Sequence, residues 1–186
     1  MTEIKKISVF GGSSPKPGSD AYQQAYQLGQ LLSAAGMTVL TGGYMGTMQA
    51  VSQGASENGG HVIGVTSEEL EIWRNAKANQ WVEEEWRFGS FRERLNSLVD
   101  QCDAAIALPG GIGTLLEICL TWNLMVINAI ETKPLILMGE EWHRIIETFY
   151  KELGSYVRLS DREYIAFAPS PSAVIDLLNY FSGQCS

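Results

Sequence analysis

Three times along the chain a short apolar run ends in glycine and gives way to a stretch with helical periodicity. Residues 6–10 lead into Gly11-Gly12-Ser13-Ser14, residues 37–40 into Thr41-Gly42-Gly43-Tyr44-Met45-Gly46, and residues 103–107 into Leu108-Pro109-Gly110-Gly111-Ile112-Gly113-Thr114. Apolar runs this short read as strands buried on both faces. Their alternation with helices predicts an α/β fold: a doubly wound, mostly parallel, Rossmann-like sheet with helices on both faces. Ligands of such sheets bind beyond the carboxyl ends of the strands. All three glycine turns fall on that edge, so they can converge on one ligand.

The remaining elements follow the same rhythm. A helix is expected over 20–35, capped by Ser19 or Asp20 and stopped by Gly36, and another over 47–57. Residues 61–65 read as the third strand. Glu68 to Glu71 reads as a helical turn, and Trp81-Val82 as a short strand before the solvated acidic run Glu83-Glu84-Glu85. Helices follow over 91–99, 115–128 and 141–153. Strands are expected at 134–138 and 165–167, and a closing helix at 171–181 with Ser170 as its cap. No repeat or linker divides residues 1–186, so they are read as a single nucleotide-binding domain.

The third turn carries the chemistry. Gly110, Gly111 and Gly113 let a ligand approach the main chain. The helix that follows offers free N–H groups and the positive end of its dipole, a ready phosphate site. Thr114 adds a hydroxyl, and Glu117 stands one helical turn further in. A tight structural turn would account for the glycines alone. The strand before, the helix after, and Thr114 and Glu117 at their offsets favour a phosphate site. Gly12 and Ser13 of the first turn, and Gly43 and Gly46 of the second, can join it.

Other chemistries find less support. A net charge of -8 argues against a nucleic-acid surface. No stretch has the length and apolarity of a membrane span, and residues 1–6 do not resemble a signal peptide. Gly-x-Gly-x-x-Gly is absent after the first strand, and so is a Walker lysine, which weakens hydride transfer or ATP hydrolysis. His61 and His143 lack neighbouring ligands, so no metal is expected. The three cysteines, Cys102, Cys119 and Cys185, have no metal spacing. Cys102 and Cys119, beside apolar runs, read as buried thiols, consistent with the reducing cytoplasm. Trp73, Trp81, Trp86 and Trp122 could stack on a base, although each reads more simply as core or interface.

Pro109-Gly110-Gly111-x-Gly113-Thr114-x-x-Glu117 resembles the signature of the LOG family, the cytokinin-activating phosphoribohydrolases. The arginine that this family places before its motif falls on Arg94. The turns at Gly11-Gly12 and Gly42-Gly43 resemble the family's other glycine segments. The likeness runs over roughly residues 4–153. The chain departs from the family pattern at Leu95, where the family has lysine, at Leu116, where it has glutamate, and throughout 73–88.

The resemblance implies hydrolysis of the N-glycosidic bond of an AMP-like nucleoside 5′-monophosphate, giving free base and ribose 5-phosphate. It implies Arg94 and Glu117 as catalytic residues, no cofactor, and a homodimer. Pro109 to Thr114, with Gly12, Ser13, Gly43 and Gly46, would hold the phosphate. The alternative is a carrier or sensor of a nucleotide or pterin cofactor on the same fold.

Overall fold

In the computed structural model the described residues are 4–183. The strands are β1 (Lys6–Phe10), β2 (Thr38–Thr41), β3 (Val62–Ser67), β4 (Glu84–Phe88), β5 (Ala104–Ala107), β6 (Leu135–Met138) and β7 (Ile165–Ala168). The helices are α1 (Asp20–Ala34), α2 (Thr47–Glu57), α3 (Glu68–Arg74), α4 (Phe91–Asp100), α5 (Ile112–Val126), α6 (Glu140–Leu153), α7 (Leu159–Arg162) and α8 (Pro171–Gly183). The strands form one sheet in the order β4-β3-β2-β1-β5-β6-β7. Every neighbouring pair is parallel. The expected doubly wound α/β architecture is the one observed.

Two apolar layers hold it together. Ile7 and Val9 of β1 face one core with Tyr22 and Leu28 of α1, Val51 of α2 and Val174 of α8. Phe10 of β1 faces the other with Leu98 of α4, Ile118 of α5 and Ile146 of α6. Helices therefore cover both faces, which is why β5 can be Ala-Ala-Ile-Ala with no residue exposed. The chain winds outward from β1 to β4, then crosses to β5 and winds the other way. The direction reverses between β1 and β5, and the crevice at their carboxyl ends is the ligand position of such sheets.

Four local expectations are corrected. Trp81-Val82 is not a strand: Trp81 N–H donates to Asn79 Oδ1 at 3.2 Å and Val82 N–H to Asn79 O at 3.1 Å, a tight turn. The strand instead takes in part of the acidic run, Glu84-Glu85-Trp86-Arg87-Phe88. It is an edge strand, so polar side chains there stay in solvent while Trp86 and Phe88 pack on the core. Helix α5 begins at Ile112 rather than at 115, so Gly113 and Thr114 belong to its first turn. Cys119 is exposed, because α5 turns Thr114, Ile118, Thr121 and Met125 inward and position 119 falls on the opposite side. Cys102 is buried as expected, whereas Cys185 lies outside the described residues.

A candidate anion site at the switch point

Gly12 joins the three glycine turns. Its N–H donates to Pro109 O at 3.3 Å, and its carbonyl accepts from Thr47 N–H at 2.9 Å and Thr47 Oγ1 at 3.1 Å. Gly46 precedes α2 with φ +74 and lies against the backbone of Gly12 and Ser13, where a Cβ would collide. Only glycine meets both demands without strain. Gly110 is pressed in the same way between the Thr114 hydroxyl and Gly12 N. Thr114 is buried, its hydroxyl against Gly110.

The helices that start here, like α6 behind Gly139, differ from α1, α3 and α4. Helices α1, α3 and α4 are capped by Ser19, Ser67 and Ser90, whose side chains accept first-turn N–H groups. Helices α2 and α5 are capped by Gly46 and Gly111, with no side-chain bond. Their first-turn N–H groups are thus left for something other than a side-chain cap. At Gly111 and Gly113 a Cβ would meet nothing within 4 Å, so this flank of the turn is open. On the other side of Pro109 a cleft of about 380 Å³ is lined by Asp20, Glu140 and Glu141. Three carboxylates make that side unfavourable for an anion. The side facing α2 carries Arg94 and Arg74.

Helix α4, started by a capping box between Ser90 and Glu93, buries Arg94 to 4% exposure. Arg94 Nε donates to Val65 O at 2.7 Å and Nη2 to Gly42 O at 3.2 Å. Glycine at residue 42 leaves the space of a Cβ to Arg94 Nη2, so a side chain there would displace the guanidinium. The guanidinium also stacks 5.7 Å from the centre of the Tyr44 ring. Its remaining nitrogen, Nη1, lies 4.0 Å from Glu117 Oε1. Sequence patterning alone would put Arg94 on a solvated helix face. Instead it ties the ends of β2 and β3 together.

Glu117 projects from the second turn of α5 with its side chain 12% exposed. Burial pushes its pKa up to about 7, against the pull of Arg94 and then Arg74. A carboxyl poised near neutral pH can both give and take a proton. Burial draws the Arg94 pKa down, opposed chiefly by Glu117.

Sequence reasoning missed three contributors. Arg74 ends α3, with its guanidinium 5.5 Å from the Tyr44 ring. Asn79 braces the second turn: its N–H donates to Gly43 O at 2.7 Å, and Nδ2 donates to Gly43 O and Tyr44 O at 3.0 Å each. Tyr44 OH donates to Ser67 O at 3.1 Å and accepts from Ser67 N–H at 3.0 Å. None has a signature in sequence, because each acts through a partner distant along the chain.

Several other residues stay apart from the site. His61 Nε2 lies 3.2 Å from Glu84 Oε2, and the His143 ring meets Phe167 edge-on. Trp86 Nε1 donates to Glu84 on the edge strand, and Trp122 Nε1 donates to Asp161 O among Phe149 and Tyr150. Trp73, beside Arg74, is 75% exposed. Among the described residues no group of three His, Cys, Asp or Glu could hold a metal. Nor, among the described residues, is any helix long and apolar enough to cross a membrane.

A doubly wound parallel sheet with glycine-capped helices opening at its switch point defines a Rossmann-like α/β protein with a candidate anion site there. The model of the SLOG cluster4 family matches residues 4–165, and the chain belongs to that LOG-like family. It is 31% identical over 196 aligned residues to a probable cytokinin riboside 5′-monophosphate phosphoribohydrolase of Oryza sativa subsp. japonica, covering 99% of this chain and 76% of that one. It is 29% identical to a cytokinin riboside 5′-monophosphate phosphoribohydrolase of Rhodococcoides fascians, over 82% of this chain and 74% of that one. Among solved structures it is similar to the molybdenum cofactor binding protein of Rippkaea orientalis, with a TM-score of 0.76 and 28% identity over 97% of this chain and 99% of that one.

Proposed function

We propose that the protein hydrolyses the N-glycosidic bond of an adenosine-type nucleoside 5′-monophosphate, releasing free base and ribose 5-phosphate. The observation that carries this reading is Glu117: a buried carboxyl with a pKa of about 7, beside an anchored arginine and a turn below the open amides of α5. A site that only holds phosphate has no evident need of such a carboxyl.

The 5′-phosphate sits on the amides of Gly110 to Thr114, with the turns at Gly12-Ser13 and Gly43 to Gly46 closing around it. The ribose then lies near Glu117. As the bond from C1′ to the base breaks, positive charge develops on the ribose ring, as in glycoside hydrolysis generally. The Glu117 carboxylate stabilises that charge, or takes a proton from the water that attacks C1′. Arg94 holds Glu117 in place through Nη1 while its other donors remain on the backbone. A carboxylate beside a phosphate would ordinarily repel it. A carboxyl that is partly neutral at pH 7 weakens that repulsion in the ground state.

The relatives named as cytokinin riboside 5′-monophosphate phosphoribohydrolases support a nucleoside monophosphate substrate. A second reading is favoured by the neighbour from Rippkaea orientalis, whose name is that of a cofactor-binding protein. On that reading the same amides hold the phosphate of a nucleotide or pterin cofactor without turnover. Incubation with AMP and isopentenyl-AMP, with released base followed by chromatography, separates the two. Release of base supports the hydrolase. Binding without release supports the carrier.

A homodimer is part of the proposal. Ile112, Leu116, Cys119 and Ile127 are exposed along one side of α5 and just past its end. Their spacing places them on one stripe.

A further inference from the structure

Arg74 carries a charge that acts on both Arg94 and Glu117. It is the last residue of α3, followed by Asn75 in the left-handed region at φ 48, so the chain turns away at once. Its guanidinium lies between two rings, 5.5 Å from the centre of Tyr44 and 5.6 Å from that of Trp73. Stacking restrains the guanidinium through its faces and leaves its N–H donors free. Arg74 Nη1 is buried with no hydrogen-bond partner. A buried donor without an acceptor is uncommon in folded proteins and calls for one.

The position is fixed from both sides. Tyr44 bonds through its hydroxyl to the backbone of Ser67, the cap of α3, while lending its ring face to Arg74. Asn79, just after α3, is bonded to the carbonyls of Gly43 and Tyr44. The charge of Arg74 acts on both Glu117 and Arg94, so it belongs to their site. With two guanidiniums and two glycine-capped helix starts, the site carries an excess of positive potential around one partly neutral carboxyl. A phosphate monoester, close to a dianion at neutral pH, matches that excess and takes a planar guanidinium in paired hydrogen bonds. A nucleoside without phosphate does not.

We infer that Arg74 is a specificity-determining residue: held between Tyr44 and Trp73 beside Arg94 and Glu117, it gives its unpaired N–H to the phosphoryl group of the bound nucleotide and so selects monophosphates over nucleosides. This rests on the reading that the site takes a nucleoside monophosphate.

The test is calorimetric binding of AMP and of adenosine to the wild type, Arg74→Ala and Trp73→Ala, with each variant's melting checked. Loss of one charge-assisted hydrogen bond is expected to weaken AMP binding by roughly 10- to 100-fold, with adenosine binding unchanged within about twofold. Trp73→Ala keeps the charge but loosens its hold, so a smaller loss, about threefold, is expected in the same direction. The pH midpoint governed by Glu117 should also move up in Arg74→Ala, because a cation that favours the carboxylate has gone. Equal losses for AMP and adenosine, or unchanged AMP affinity, overturn the inference. If Arg74→Ala does not fold, Trp73→Ala decides: unchanged selectivity there overturns it. Release of base from AMP by the wild type, with AMP affinity intact in Arg74→Ala, sinks the inference and leaves the hydrolase reading standing. Selective loss of AMP binding in a protein that never releases base does the reverse. A wild type that binds neither ligand overturns both.

Discussion

Arg94 Nη1 and Glu117 Oε1 lie 4.0 Å apart, and the arginine is far more firmly held than the acid. Arg94 is fixed by hydrogen bonds to Val65 O and Gly42 O, while burial works against the charge of Glu117. The pair is therefore asymmetric. The arginine is a fixed cation, and the carboxyl is the group whose protonation can change in the physiological range.

Glu117→Gln tests that asymmetry. It keeps the side-chain size and removes the charge. Turnover should fall about a hundredfold or more, the scale of a lost general base, while AMP affinity holds or rises. Base release followed by chromatography and AMP binding by calorimetry separate the two effects. Equal loss of affinity and activity would mean that Glu117 contributes uniform binding instead.

The same variant should change the pH dependence of stability. The Glu117 pKa is raised from 4.5 to about 7 on folding, so the fold favours the neutral acid. That contribution is fully present below pH 4.5 and is lost as pH rises through about 7. Glu117→Gln cannot ionise and escapes the loss. It should match the wild type at pH 4 and be more stable at pH 8 by about 1–3 kcal/mol. Thermal melts across that range would show it, and parallel curves for the two proteins would contradict it.

Arg94→Ala should damage the fold as well as the site. It leaves the Val65 and Gly42 carbonyls without their donor and opens a space at the ends of β2 and β3. A loss of about 3 kcal/mol or more is expected, with AMP binding and turnover falling together. Urea unfolding is the direct measurement. A fully stable variant that has lost only turnover would show that Arg94 is not a structural tie.

The glycines should divide into two groups. Gly46→Ala meets the backbone of Gly12 and Ser13 at a positive φ and should destabilise the protein by at least ~1 kcal/mol. Gly113→Ala meets nothing within 4 Å and lies in the first turn of α5, so it should fold at least as well as the wild type. If phosphate occupies the open flank, Gly113→Ala still weakens AMP binding. A co-crystal with AMP should place the phosphate on the amides of Gly110 to Thr114. Phosphate at another strand end, with this turn empty, would sink the assignment.

Light scattering at micromolar concentration should report a homodimer, burying on the order of 2,000 Å² in total. Leu116→Asp with Ile127→Asp should convert it to a monomer. A wild type that is already monomeric would remove the dimer from the proposal.

The sequence by itself determined the architecture and the three glycine turns that follow its strands. Short apolar runs such as Ala104 to Ala107, bounded by turn residues, read as strands covered on both sides, and three of them end in glycines that a helix follows. Local chemistry also marked Ser19 or Asp20 as a cap, of which Ser19 is the one used, and Glu117 as one turn below an open helix start. Tertiary structure decided what those groups are worth. Arg94 has the local pattern of a surface residue and becomes a buried tie only because β2 and β3 end beside α4. The acidic run became an edge strand because Ile63 to Ser67 of β3 had no other partner on that side. Arg74 and Asn79, in a stretch without periodicity, join the site through Tyr44 and Gly43, more than 25 residues away in sequence. A pKa near 7 is likewise no property of Glu117 itself. It arises from the water excluded by neighbours that meet only in the folded chain.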